Sequence, residues 1–449
     1  MERSLASLIL ALALLPVTVW DRGRDLATPI VPLVSIFYAM YFAAPIFLLS
    51  KFSRAWYIQE ILPDWALERS LLLACVGVIA MYIGYYNPVS VFLGRAVPKL
   101  RFKWRNPRAL EGAGLLFSLI GIGTYYLGFG SLAYSVDSSV SRVSSSFEQI
   151  LHFLCDLSLI GIGILFILWR VGALSRTGSV LLWIAVLPTR LVFGVATGAV
   201  FQSIEVVLLL LLIDGTLSGR FRWWVLGIGF TGMLVLQPTK TLLRSQEAAE
   251  RGKEVAPVHR GAKFLNIALD VVRRPDELGV SIVDMGIDRL NLVTTFAAVI
   301  EQTPERIPFW GGYSYRCLAT KMIPKMLYPG KPPEDGGQAF PHRYGFINPS
   351  DVSTSYNLAQ LLEAYINFGI SGLIVIMALI GMFYRVGQGV FVQPRMELGA
   401  VIGVCYMTLG WVNIESNASL VLAGVMWEIA YLVAVHLVVL VAERVVPSK

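Results

Sequence analysis

Long apolar runs separated by short charged breaks dominate the chain. A helix needs roughly 20 mostly apolar residues to cross a bilayer. Eleven such runs stand near 4–20, 28–50, 70–89, 109–128, 149–169, 179–195, 199–214, 223–237, 364–384, 398–412 and 420–443. The pattern predicts an all-α polytopic integral membrane protein of about eleven transmembrane helices. The first run resembles a signal peptide, but its only Ala-x-Ala, Ala11–Ala13, lies inside the apolar core, so it is expected to stay as a helix. The stretch 179–214 is too long for one span and is divided at Arg190, with Gly194 and Gly198 permitting a turn.

Between 238 and 363 no clean spanning run occurs. A connection of that length is expected to be functional and to carry short helices of its own. Residues 264–272 and 288–301 have apolar positions at helical spacing and are expected to lie as helices on the membrane surface. The predicted organisation is an N-terminal bundle over 1–237 with the first eight spans, a large partly helical outer loop over 238–363, and three further spans over 364–449.

Basic residues set the orientation. One alternate set of short loops carries sixteen Lys and Arg, led by the segment Arg95–Arg105, against six in the other set. The richer set is expected inside, which places the N-terminus and the 238–363 loop outside and the C-terminus inside. Only 15% of residues are charged, well below the quarter usual for soluble chains. The net charge of +7 therefore serves topology and anionic headgroups, and no nucleic-acid partner is expected. Cys75, Cys155, Cys317 and Cys405 and the four His are scattered without metal-ligand or redox spacing. No metal or other cofactor is expected.

Ionisable residues inside spans are costly and mark functional candidates when they face a cavity. Asp156, Arg190, Glu205, Glu363 and Glu428 lie within or at the edges of spans. For each, snorkelling or pairing across helices is the structural alternative. Arg190 stands beside Pro188 and two glycines, which suits a cation facing an outer cavity. The richest stretch is 306–369, where Trp310, Tyr313, Tyr315, Tyr328, Tyr344 and Tyr365 interleave with Arg316, Lys321, Lys331, His342 and Arg343. Aromatic faces stack on sugar rings and Arg or Lys grip phosphate oxygens, so this composition fits a phosphate-linked sugar. An interfacial aromatic belt with snorkelling bases has the same composition.

Order and spacing narrow the choice. Arg289 is followed by Thr303-Pro304, Gly312-Tyr313-Ser314-Tyr315, Pro324, Tyr328 and Pro329-Gly330-Lys331-Pro332. Ser353-Thr354-Ser355 and Glu363-Ala-Tyr365-Ile-Asn367-Phe368-Gly369-Ile-Ser-Gly372 close the series. This segment, about a fifth of the chain, resembles the one shared by Wzy-type oligosaccharide repeat-unit polymerases, the O-antigen and exopolysaccharide polymerase family. It departs from members that carry Arg-x10-Gly, since Phe201 and Ile300 stand eleven residues beyond Arg190 and Arg289.

The resemblance implies a metal-independent membrane glycosyltransferase at the periplasmic face of the bacterial inner membrane. It would polymerise undecaprenyl-diphosphate-linked oligosaccharide repeat units into a surface polysaccharide, within a lipid bilayer and with a chain-length regulator as an optional partner. In such a site Arg190, Arg289, Arg316, Lys321, Lys331 and Arg343 would stabilise the diphosphate. Tyr313, Tyr315, Tyr365 and Asn367 would contact glycan, and Glu363, or failing it His342, would be the general base. Glu363 opens a span at the outer boundary, where partial burial would tune it; its structural alternative is a helix-start carboxylate. An O-antigen ligase shares the architecture and the donor. A lipid-linked sugar flippase would instead line a mid-membrane path with its charges. A metal-dependent phosphosugar transferase would show adjacent acids in the first outer loop, where Glu60 and Asp64 stand four apart.

Overall fold

The computed structural model describes residues 1–19, 28–49, 62–127, 146–196, 200–249, 257–278, 281–321, 336–351, 354–392 and 396–446, together with 323, 328 and 330. Among them there are helices and no strands. In chain order the helices are α1 (Glu2–Val19), α2 (Ile30–Leu48), α3 (Asp64–Tyr86), α4 (Pro88–Ala96), α5 (Pro107–Leu127), α6 (Ser146–Arg170), α7 (Arg176–Ala196), α8 (Val200–Ser218) and α9 (Trp223–Ala249). They continue with α10 (Pro257–Arg273), α11 (Ile282–Asp288), α12 (Leu292–Gln302), α13 (Leu318–Lys321), α14 (Gly336–Arg343), α15 (Gln360–Gly389), α16 (Leu398–Trp411) and α17 (Ala418–Val445).

Each predicted apolar run falls on a helix, but by length and composition eight of the described helices can cross a membrane: those over 30–48, 64–86, 107–127, 153–170, 176–196, 201–218, 360–389 and 418–445. This is fewer than the eleven expected. The runs at 4–20, 223–237 and 398–412 lie in α1, α9 and α16, outside that set. At 14 residues, α16 rises only about 21 Å, short of a hydrocarbon core of about 30 Å. A second correction concerns Arg190. The chain does not break there, because α7 runs through it to Ala196.

A third correction lies in the 238–363 segment. α12 is buried at every position from Leu292 to Ile300, so it is a core helix and does not lie along a surface. Its residues there are apolar but for Thr294 and Thr295, and Thr295 shares a hydrogen bond with the Tyr356 hydroxyl at 3.3 Å. α10 does have two faces: Phe264, Ile267 and Val271 are buried while Leu265, Leu269 and Val272 are exposed. The boundaries expected at 237 and 363 fall inside α9 and α15.

Contacts divide the chain into two interleaved units. Unit 1 comprises Met1–Lys99, Ile287–Val392 and Gly410–Ile429, and unit 2 comprises Leu100–Gly286, Gln393–Leu409 and Ala430–Lys449. In unit 1, α3 and α15 meet backbone to backbone. A Cβ on Gly84 would lie 1.8 Å from the Ala378 carbonyl oxygen, and one on Gly381 would lie 2.0 Å from that of Met81. Small residues allow this approach, which in lipid replaces the hydrophobic drive as the source of packing. Behind this pair an aromatic row runs from Phe42 through Phe296 and Tyr365 to Phe309, at successive centroid distances of 6.4, 5.4 and 6.1 Å.

In unit 2, α5 and α6 use the same device. A Cβ on Gly121 would meet the Ser158 nitrogen at 2.4 Å, and one on Gly161 would meet the Gly114 oxygen at 2.6 Å. α9 and α10 enclose Leu243, Phe264, Ile267 and Val271. They are joined by a two-pronged ion pair from Arg260 to Glu247, at 2.6 and 2.8 Å.

Candidate functional site

The site in unit 1 begins with a break in α15. Gly369 sits at φ 67°, ψ −153° inside the helix, a conformation open essentially to glycine alone. The break frees carbonyls of the preceding turn. Those of Ile366 and Asn367 accept the Trp310 and Gly311 N–H groups at 2.8 and 3.1 Å. Asn367, itself buried, completes the clamp: its Oδ1 accepts the Gly312 N–H at 2.9 Å, and its Nδ2 donates to Ser314 Oγ at 2.8 Å and the Glu363 carbonyl at 2.7 Å. The Glu-x-Tyr-x-Asn-Phe-Gly string thus fastens the Gly-Tyr-Ser-Tyr turn to the head of a span. Tyr365 assists from the core by donating to the Thr303 carbonyl at 3.2 Å.

The fastened turn forms one wall of an open cleft of about 370 Å³ lined by Phe309, Trp310, Tyr313, Ala339 and Arg343. Arg343 stands over the Trp310 ring at 5.7 Å and donates from Nη2 to the Pro308 carbonyl at 2.7 Å. Arg316 lies 3.7 Å over the Tyr313 ring and donates to its hydroxyl at 2.8 Å. Two guanidinium groups held against aromatic faces give fixed positive charge beside flat apolar surface. Tyr315 is not among the residues lining this cleft, and its ring stacks on Phe368 at 6.2 Å. Burial, and then the Glu363 carboxylate, push its phenol well above the ordinary range.

A second charged group stands in the same unit. Arg289 grips Glu415 with both terminal nitrogens, at 3.1 and 2.8 Å. The Glu415 carboxylate also accepts a close hydrogen bond from the Tyr41 hydroxyl and one from Asn357 Nδ2 at 2.7 Å. Its side chain is 9% exposed while that of Arg289 is 44% exposed, so the pair offers its cationic side outward. The nearby carboxylate holds the Arg289 guanidinium still further above its ordinary range. Glu415 escaped the sequence reading. The available signal was a lone carboxylate in 413–419, a loop without a single Lys or Arg.

The two expected bases differ. Glu363 is wholly buried, more deeply than a residue at a span boundary was expected to be. Its Oε2 accepts the Ala418 N–H at 2.5 Å, satisfying a first-turn donor of α17 that has no partner within its own helix. His342 is partly exposed on α14. Gln338 there donates its amide to the Thr354 carbonyl and turns Oε1 toward His342 Nε2 at 3.2 Å. With Oε1 as the acceptor the hydrogen bond is donated by Nε2, and the tautomer protonated there alone has Nδ1 as its acceptor.

The remaining candidates fall elsewhere. Lys321 ends α13, with its side chain outside the described residues, as is all of Lys331. Arg190 belongs to unit 2. It is wholly buried, donates from Nε to Ser158 Oγ at 3.0 Å and lies 4.5 Å over the Tyr125 ring. Among the described residues its two terminal nitrogens have no hydrogen-bond partner. The acidic Asp156 and Glu205 are its neighbours in that unit, and the Tyr406 hydroxyl donates to Asp156 at 3.1 Å.

Comparison with protein-family models, with curated proteins and with solved structures gives no match.

Proposed function

We propose that this membrane protein is a glycosyltransferase that polymerises undecaprenyl-diphosphate-linked oligosaccharide repeat units at the periplasmic face of the bacterial inner membrane. The observation that carries the reading is the cleft in which Trp310 and Tyr313 stand with Arg343, with the Arg316 guanidinium held over the Tyr313 ring. It pairs the stacking surface a sugar needs with the fixed cations a diphosphate needs. The resemblance of 289–372 to repeat-unit polymerases supports it. The orientation that follows has the N-terminus and the 238–363 segment in the periplasm and the C-terminus in the cytoplasm, with α1, α9 and α16 counted as crossings beside the other eight and the bilayer thinned around the short rise of α16.

In the reaction the acceptor hydroxyl forms a C–O bond to the anomeric carbon of the donor sugar. The bond from that carbon to the diphosphate oxygen breaks, and its electron pair leaves with the diphosphate. Arg316 and Arg343, with the outward side of Arg289, stabilise that charge. The acceptor proton passes to His342 Nδ1, while Glu363 positions the start of α17. Purified protein supplied with labelled lipid-linked repeat units should give a ladder of products. His342→Ala should cut turnover about a hundredfold, and Arg316→Ala with Arg343→Ala should cut it further. Near wild-type ladders from the folded double arginine variant would defeat the reading.

One observation favours a second reading. Arg190, Asp156 and Glu205 gather within spans of unit 2, which is where a lipid-linked sugar transporter places its charges. Movement of labelled lipid-linked sugar across proteoliposomes without any product ladder would select it.

A further inference from the structure

α14 has a second side. Ala339 and Arg343 face the aromatic cleft, whereas Gln338 contributes to another cavity of about 250 Å³ with Ser355, Tyr356, Asn357, Ser416 and Asn417. Among the described residues no charged side chain lines this cavity. The acid beneath it, Glu415, is matched by Arg289. Asn357 gives Nδ2 to Glu415 and so keeps Oδ1 as an acceptor. The Ser355 and Ser416 hydroxyls make no hydrogen bond to a described residue. Glycine at 337 makes the room, since a Cβ there would lie 2.4 Å from Ser355 Oγ.

A wall that both donates and accepts, and carries no net charge, matches a ligand whose groups do the same. Sugar hydroxyls are such groups, whereas phosphate and carboxylate only accept. A site built for hydroxyl hydrogen bonds also rejects ligands that leave its polar groups unpaired. We propose that this cavity is a subsite for an uncharged sugar residue, the acceptor end of a lipid-linked glycan. The assignment rests on the glycosyltransferase reading, and it adds a division of labour: charge is met on one side of α14 and hydroxyls on the other. His342, joined to Gln338 at 3.2 Å, then stands beside the acceptor.

The test is binding to the full chain in nanodiscs by saturation-transfer NMR, with a panel of neutral disaccharides, their uronic acid analogues, and farnesyl diphosphate as a sugar-free anion. Neutral sugars should bind and uronates should bind at least tenfold more weakly. Ser416→Leu, which fills the cavity, should weaken neutral-sugar binding at least tenfold, and Ser355→Ala about threefold, both leaving farnesyl diphosphate unchanged. Arg343→Ala should do the reverse. Absence of neutral-sugar binding, equal binding of uronates, or indifference to Ser416→Leu in folded protein would overturn the subsite. Should Ser416→Leu not fold, indifference to Ser355→Ala would overturn it alone. Loss of only the farnesyl diphosphate result would strike the parent reading and spare the neutral subsite.

Discussion

Arg289 in unit 1 and Arg190 in unit 2 are the same residue type held in opposite ways. Arg289 closes both terminal nitrogens on Glu415 and leaves nearly half of its side chain exposed. Arg190 is wholly enclosed, with a hydroxyl on Nε and an aromatic face as its close polar contacts among the described residues. A guanidinium cannot shed its proton in a protein, so each unit must accommodate the charge as it stands. Unit 1 neutralises it and keeps it in reach of solvent. Unit 2 encloses it, out of reach of solvent, with the acidic Asp156 and Glu205 as its electrostatic neighbours. A cation fit to meet a ligand is therefore recognised by what neutralises it and by what it exposes, and depth of burial alone is a poor guide.

The comparison is sharpest in substitutions at the two arginines. Arg289→Ala should lower turnover by about a hundredfold to a thousandfold, the loss expected of one charge stabiliser. It also strands a buried carboxylate, which costs about 3 kcal/mol, less because the lost partner is half-exposed; product ladders and thermal melting check the two effects. Arg190→Met should act on stability and hardly on turnover. Removing the enclosed cation leaves the acidic Asp156 and Glu205 without it, so stability should fall by about 3 kcal/mol, with turnover of the protein that folds within about twofold. Folded Arg190→Met protein that had lost turnover would break the comparison and make Arg190 a ligand residue.

Smaller effects refine it. Tyr41→Phe removes one of the donors to Glu415 and should cost about 1 kcal/mol of melting stability, with turnover changed less than by Arg289→Ala. A larger loss of turnover than of stability would show that Tyr41 sets the angle of the ion pair. Tyr315 should give the smallest change. Its raised phenol stays protonated in the folded chain where the unfolded chain, titrating near about 10, releases its proton. Stability is then full below about pH 10 and declines above it. Tyr315→Phe should flatten that decline in melts taken across alkaline pH, and an unchanged slope would refute the assignment.

Much of the helical architecture was legible because apolar runs announce themselves by length. The count of spans was less so. A run such as 398–412 has the composition of a span and too few residues, and Arg190, which looked like a break, is simply carried within α7. The 306–369 stretch was legible as rich in aromatics and cations, but not that Tyr313 and Arg343, 30 positions apart, line one cleft. Tyr365 and Asn367 were read as ligand contacts and turn out to be buried fasteners, a distinction that needs the position of Gly369. Glu415 was illegible in local pattern: 126 residues separate it from Arg289, and no periodicity spans that distance.

The clamp at Gly369 also bears on biogenesis. The N–H groups of Trp310, Gly311 and Gly312 find their acceptors on Ile366 and Asn367, which the ribosome makes later. Until those residues emerge, three backbone donors must be hydrated, and the Trp310–Tyr313 wall has nothing to hold its shape. The nascent chain therefore passes through insertion of its earlier helices without a formed cleft, and assembly of the cleft is coupled to synthesis and placement of α15. A chain stalled before residue 366 would leave an inserted bundle that cannot present the wall, so the order of translation itself decides when the cleft can exist.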